Sequence, residues 1–81
     1  MNVTYFIRGE SFNMKSHWFT QSCISQDHEV NTLIKDCAMD FYENHNPESS
    51  AFPAEISVCL GNKEFGRCSV ELCFKPVFEI L

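Results

Sequence analysis

Residues 27–44, DHEVNTLIKDCAMDFYEN, predict an amphipathic helix around which the rest of the fold can be organised. The apolar residues recur at i, i+3, i+4 and i+7, the spacing that places side chains on one face of an α-helix. They are Val30, Leu33, Ile34, Cys37, Ala38, Phe41 and Tyr42. Since the opposite side is polar and acidic, we expect the apolar stripe to lie on a sheet that the flanking residues supply.

The residues before the helix predict two strands. Residues 2–8 are mostly β-branched or aromatic, which is the composition of a strand. Residues 9–11, Gly-Glu-Ser, have the chemistry of a turn. A second strand is expected from about Lys15 to Ile24, antiparallel to the first, because consecutive strands joined by a short turn usually pair.

The residues after the helix predict a hairpin. Apolar and polar residues alternate from Ala54 to Leu60, Gly61-Asn62 is a hairpin-turn signal, and alternation resumes over residues 67–75 before Pro76. The sequence therefore predicts an α+β fold in one domain, residues 1–81. It is a two-layer sandwich, a four-stranded antiparallel sheet with one helix packed on it, in the order β-β-α-β-β. The strand orders 2-1-4-3 and 1-2-4-3 both stay open.

The acidic balance restricts the possible partners. Six basic against eleven acidic residues give a net charge of −5, which disfavours direct binding to nucleic acid or to an anionic membrane. No stretch has the roughly 18 apolar residues of a membrane span. An odd number of cysteines, five, and the lack of a secretory signal at the start favour a reducing, cytoplasmic setting.

Neither a metal site nor a catalytic site is indicated by the spacing of the reactive residues. Cys68 and Cys73 are separated by four residues, and on a strand they would point to opposite faces, which argues against joint zinc ligation. Cys37 falls within the apolar stripe and is expected in the core. No Gly-rich loop or strained elbow frames a nucleophile. We therefore expect no metal, no cofactor and no enzymatic activity.

Acidic residues on the polar side of the helix form the main candidate binding site. Asp36, Asp40 and Glu43 lie at i, i+4 and i+7, so their carboxylates line up along the helix. Glu29 adds charge upstream. Such a row is most often a solvated surface, but it also suits a basic protein partner, and the acid excess of the whole chain favours that hypothesis.

Exposed aromatic residues form the second candidate. One helix covers only one side of a four-stranded sheet, so some large apolar residues are expected on the open side or on the apolar tail. Surface of this kind usually serves association. Trp18, Phe78 and Tyr5 are the expected anchors, either of a homodimer or of a contact with another protein.

The order of elements resembles that of small phage-encoded inhibitors of host defence, including several anti-CRISPR proteins. The resemblance rests on a strand at the start (Val3 to Arg8), one central amphipathic helix (Val30 to Tyr42), a closing hairpin (Ala54 to Phe74) and the acidic balance. It implies a protein that acts by binding and blocking, often at a nucleic-acid-binding surface of its target.

A second resemblance is to antitoxin domains of the HicB type, small sheets with a helix that neutralise a toxin. The chain departs from that pattern, because it has no additional DNA-binding region and its expected second strand lacks a Gly-rich start. We therefore expect an acidic, non-enzymatic inhibitor that blocks a basic surface of a larger complex. The alternative is a homodimeric structural, regulatory or antitoxin-like protein.

Overall fold

Five strands and two helical segments make up the described part of the chain. The computed structural model describes residues 1–45, 51–74 and 77–81. The elements are β1 (Asn2–Ile7), β2 (Glu10–Lys15), a 3₁₀ helix (Gln21–Ser25), α1 (Asp27–Asn44), β3 (Ala54–Leu60), β4 (Lys63–Phe74) and β5 (Val77–Ile80). Pro76, before which the predicted alternation ends, lies outside the described residues.

The strands form a single antiparallel sheet in the order β2-β1-β3-β4-β5. The α+β class, one helix on an antiparallel sheet, is confirmed. The prediction of four strands is wrong, because the apolar tail forms β5 and pairs with β4, Leu72 opposite Phe78. Both predicted strand orders are wrong as well, since β1 pairs with β3, Tyr5 opposite Val58.

The first hairpin is tighter than the sequence predicts. Arg8 and Gly9 both have positive φ, 52° and 84°, so two residues make the turn and β2 begins at Glu10. Such turns match the right-handed twist of the strands they join. The expected strand from Lys15 to Ile24 is wrong. The structural reason is the register, which turns Phe12 towards the helix beside Tyr5 and ends the strand at Lys15.

The core lies between α1 and one face of the sheet. The helical stripe is confirmed: Val30, Leu33, Ile34, Cys37, Ala38 and Phe41 are buried, and Tyr42 is half-buried at its end. The sheet contributes alternate residues, namely Val3, Tyr5, Ile7, Ile56, Val58, Val70 and Phe78. Gly66 of β4 is an exception among these large apolar residues. A Cβ at this position would overlap Val30 Cγ1 and lie 3.2 Å from Val58 Cγ2. The helix can approach the sheet there because that position has no side chain.

Within residues 1–45, 51–74 and 77–81, no helix has both the length and the apolar composition needed to cross a bilayer. α1 is the one long helix of these ranges, and it is amphipathic. The candidate acidic residues lie outside its buried stripe.

Candidate functional site

A groove of about 590 Å³ runs between α1 and the segment that follows β2. Asp36, Asp40 and Glu43 line it from the helix, and Trp18 lines it from the other side. Four of the six predicted binding residues therefore come together in one place. The sequence gives no signal for the groove itself, because its second wall depends on how residues 16–20 fold back after β2.

The second wall is held by a local turn. Ser16 is buried, and its Oγ accepts a hydrogen bond from the backbone N–H of Phe19 at 3.1 Å. Phe19 is buried in the core, whereas the neighbouring Trp18 packs edge-on against it, with ring centroids 5.5 Å apart. Burying Phe19 thus directs Trp18 outwards into the groove, where 38% of its surface stays exposed.

Trp18 and Asp36 join the two walls. The indole Nε1–H of Trp18 donates a hydrogen bond to Asp36 Oδ2 at 2.7 Å. Hydrogen bonds to an ionised acceptor are stronger than neutral ones, and this one also fixes the direction of the ring. Asp36 thereby holds Trp18 at the mouth of the groove.

Asp40 accepts hydrogen bonds from the sheet and from its own helix. The hydroxyl of Tyr5, a fully buried residue of β1, donates to Asp40 Oδ2 at 2.6 Å. Asn44 Nδ2 donates to the other oxygen at 3.0 Å, and His45 Nε2 lies 3.7 Å from Oδ2. Burial, and then the hydrogen bond and charge of Asp40, raise the pKa of Tyr5 far above its usual value. Tyr5 is therefore a neutral donor, and it lies in the core rather than at the surface as a binding anchor.

The acidic side of the helix is therefore not a uniformly solvated surface. Asp36 and Asp40 are half-buried and each accepts an internal hydrogen bond, whereas Glu43 is exposed. A carboxylate offers about four acceptor positions, so both aspartates retain capacity towards the groove. Lys15 and His17 also line it, and the carboxylates outnumber these basic groups. The groove has an acidic wall whose two inner carboxylates are held in fixed orientations.

The two other predicted binding residues lie elsewhere. Glu29 is in the first turn of α1, where a carboxylate suits the positive end of the helix dipole. Phe78 of β5 is only 6% exposed and packs against Phe52 and Tyr42, with centroids 4.9 and 5.8 Å away. The sequence interpretation of Phe78 as a surface anchor needs correction, because pairing of β5 with β4 turns its ring into the core.

The five cysteines are all free thiols. Burial is the main cause that raises the pKa of Cys37, Cys59 and Cys68, and Cys68 Sγ donates a hydrogen bond to Asn31 Oδ1 at 3.1 Å. A raised pKa lowers the thiolate fraction, the reverse of what activates a cysteine nucleophile. Across the part of the chain that the structure describes, no three His, Cys, Asp or Glu side chains are grouped closely enough to hold a metal ion.

Comparison with known proteins assigns no family to this chain. No family model matches it, no curated protein matches its sequence, and no solved structure matches its fold. The resemblances to phage-encoded inhibitors and to antitoxin domains therefore stay predictions.

Proposed function

We propose that the protein is a non-enzymatic binding module, an anti-CRISPR-like inhibitor that uses its acidic groove to block a basic, nucleic-acid-binding surface of a larger protein. The observation that carries the proposal is the meeting of Asp36, Asp40 and Glu43 with the exposed ring of Trp18 in one groove. Five free thiols support a reducing cytoplasm as its setting.

The groove has the chemistry to receive a Lys or Arg side chain. Carboxylates supply charge-assisted hydrogen bonds to such a cation, and the face of Trp18 supplies a cation–π contact. The indole N–H bond to Asp36 lies in the plane of the ring and so leaves the ring face free. Because internal donors already orient Asp36 and Asp40, less side-chain freedom is lost on binding than with mobile surface carboxylates.

Binding without catalysis is the mode of action that the thiols and the groove favour. Activated cysteines have lowered pKa values, whereas Cys37, Cys59 and Cys68 have raised ones. The groove walls offer carboxylates whose orientation is already fixed. A target surface that binds phosphates is positively charged and would therefore complement these carboxylates.

The test is charge reversal at the one groove carboxylate that is exposed. Tagged protein is used to capture partners from host lysate, and the beads are washed at low and then high salt. Glu43→Lys reverses a charge in the groove, whereas the matched control Glu71→Lys makes the same change on β4, outside it. We expect Glu43→Lys to lose a salt-eluted nucleic-acid-binding protein that wild type and Glu71→Lys retain. Equal capture by both variants would rule out the groove as the contact.

Self-association through β5 is the second candidate, as a homodimeric structural, regulatory or antitoxin-like protein. It is favoured by the exposure of two apolar side chains at that edge of the sheet, Val77 at 48% and Leu81 at 65%. Deleting the tail would also remove the buried ring of Phe78, so Val77→Lys with Leu81→Lys is the sharper change. A dimer by light scattering that becomes monomeric in this double variant would support the candidate, and a monomeric wild type would eliminate it.

A further inference from the structure

Among the residues that the structure describes, the face of the sheet opposite α1 carries one large exposed aromatic residue, Phe6 of β1. Its exposure is 43%, although it lies on a strand with neighbours on both sides. The register explains this, because the residues beside it are Ser11 on β2 and Ser57 on β3. Both are too small to cover a phenyl ring. An apolar ring is therefore exposed in the middle of this face.

Arg67 stands on the far side of Ser57 from that ring. Ser57 pairs with Phe6 on one side and with Arg67 of β4 on the other, so the three side chains form a row across the sheet. With strands about 4.8 Å apart, the Cα atoms of Phe6 and Arg67 lie about 10 Å apart. A planar group needs about 3.5 Å on each side for van der Waals contact. The strand spacing thus leaves room for one aromatic ring between the two side chains above Ser57, and we call this gap the slot.

The guanidinium of Arg67 is already held in place. Its Nε and Nη2 donate to Glu64 Oε1 at 3.2 and 2.8 Å, and its Nη1 donates to Glu55 Oε1 at 3.3 Å. These bonds lie in the guanidinium plane, so they neutralise its charge and leave its faces free to stack. Arg67 can therefore stack on one face of a bound ring while Phe6 stacks on the other.

Arg8 provides a separate cation at the rim. It lies in the hairpin turn with φ at 52°, and it lines the same cleft of about 410 Å³ as Phe6, Ser57 and Arg67. One N–H of its guanidinium donates to the carbonyl of Ala51 at 3.2 Å. A guanidinium has five donors, so others remain for an anionic group of a ligand.

We infer that this slot binds a planar heteroaromatic group carrying a single phosphate, of the nucleoside monophosphate class. The base stacks between Phe6 and Arg67 above Ser57, and the phosphate reaches Arg8. A single nucleotide suits the site better than a nucleic-acid strand, because a chain of net charge −5 repels a polyanion. The cleft volume lies within the range of small-molecule sites.

Titration of the ¹⁵N-labelled protein with AMP or UMP, followed by amide chemical shifts, tests the inference. We expect shifts confined to residues 6–9, 53–57 and 67, with adenosine binding more weakly than AMP. Phe6→Leu keeps an apolar strand residue but removes the π surface, and it should weaken AMP binding about tenfold. Arg67→Lys keeps the charge and removes the planar plate, so it should weaken binding as well. Ser25→Ala, at an exposed position of the 3₁₀ helix outside this cleft, should change nothing.

Three results would overturn the inference. The first is the absence of shifts at these amides with millimolar AMP or UMP. The second is an equal response to inorganic phosphate alone, which would show an anion site without a ring slot. The third is binding of N-acetyltryptophanamide with no binding of AMP, which would assign the slot to an aromatic side chain of a protein partner. If Phe6→Leu fails to fold, Arg67→Lys and Arg8→Gln decide the question, since Arg8→Gln should reduce the affinity for AMP to that for adenosine.

Discussion

The hydroxyl of Tyr5 donates a 2.6 Å hydrogen bond to Asp40, which links the buried centre of the sheet to the wall of the acidic groove. Tyr5 is completely buried on β1, and Asp40 lies on the polar side of α1 with its side chain 20% exposed. The bond fixes the helix relative to the sheet and orients one of the groove carboxylates. Stability and the shape of the groove are therefore coupled at this pair.

Tyr5→Phe should destabilise the fold without creating a cavity. The ring contact with Phe12 is kept, but Asp40 loses a donor at a position only partly open to water. We expect a loss of about 1–2 kcal/mol in the free energy of unfolding, measured by urea denaturation. Tyr42→Phe is the matched control, since it keeps the ring contact with Phe78 on the same side of the sheet. Equal losses in both variants would show that the Tyr5 hydroxyl has no special role.

The Tyr5–Asp40 pair also predicts how the free energy of unfolding responds to alkaline pH. The pKa of Tyr5 is raised in the folded state, mainly by burial, so the folded protein retains this proton after the unfolded chain has lost it. Its contribution to stability is complete below about pH 10, the ordinary pKa of tyrosine, and is lost as the pH rises further. The free energy of unfolding should fall by up to about 1.4 kcal/mol per pH unit there. Denaturation at several pH values should show a shallower fall for Tyr5→Phe, and parallel curves for the two proteins would contradict the assignment.

The sequence predicts those parts of the fold whose signals are local. The helix is predicted because its apolar period continues from Val30 to Tyr42, and the second hairpin because alternation surrounds Gly61-Asn62. The position of β2 is not predicted, because its two-residue turn requires a positive φ at Arg8. The presence of an arginine gives no indication of a positive φ. The prediction also misses β5, whose four residues are too few to show a period.

The candidate site is also predictable only in part, because some of its contacts join residues that are distant in sequence. The helical spacing of Asp36, Asp40 and Glu43 is enough to align them. Their partners are distant in sequence, since Trp18 lies eighteen residues from Asp36 and Tyr5 lies thirty-five residues from Asp40. Those contacts depend on the strand order and on the turn after β2, neither of which a single sequence specifies.

Gly66→Ala tests the close approach of the helix to the sheet. A methyl group there would overlap Val30 Cγ1 and press on Val58, both of which are buried. Overpacking of a closed core costs about 1–3 kcal/mol, so the urea midpoint should fall by a corresponding amount. Ser69→Ala on the same strand is exposed and should leave the midpoint nearly unchanged. A neutral Gly66→Ala would show that α1 can move away from β4 at little cost.

Glu79→Lys should stabilise the protein, because Glu79 on β5 lies directly opposite Glu71 on β4. Like charges in directly opposed positions of an antiparallel pair are destabilising, and reversing one of them creates an attractive pair. We expect a gain of about 0.5 kcal/mol in low salt that shrinks as the ionic strength rises, since both groups are exposed. The measurement is urea denaturation of Glu79→Lys, Glu79→Gln and wild type at two salt concentrations. Glu79→Gln removes the repulsion without adding attraction, so it should fall between the other two. A gain that is the same at both salt concentrations would show that the benefit does not arise from charge.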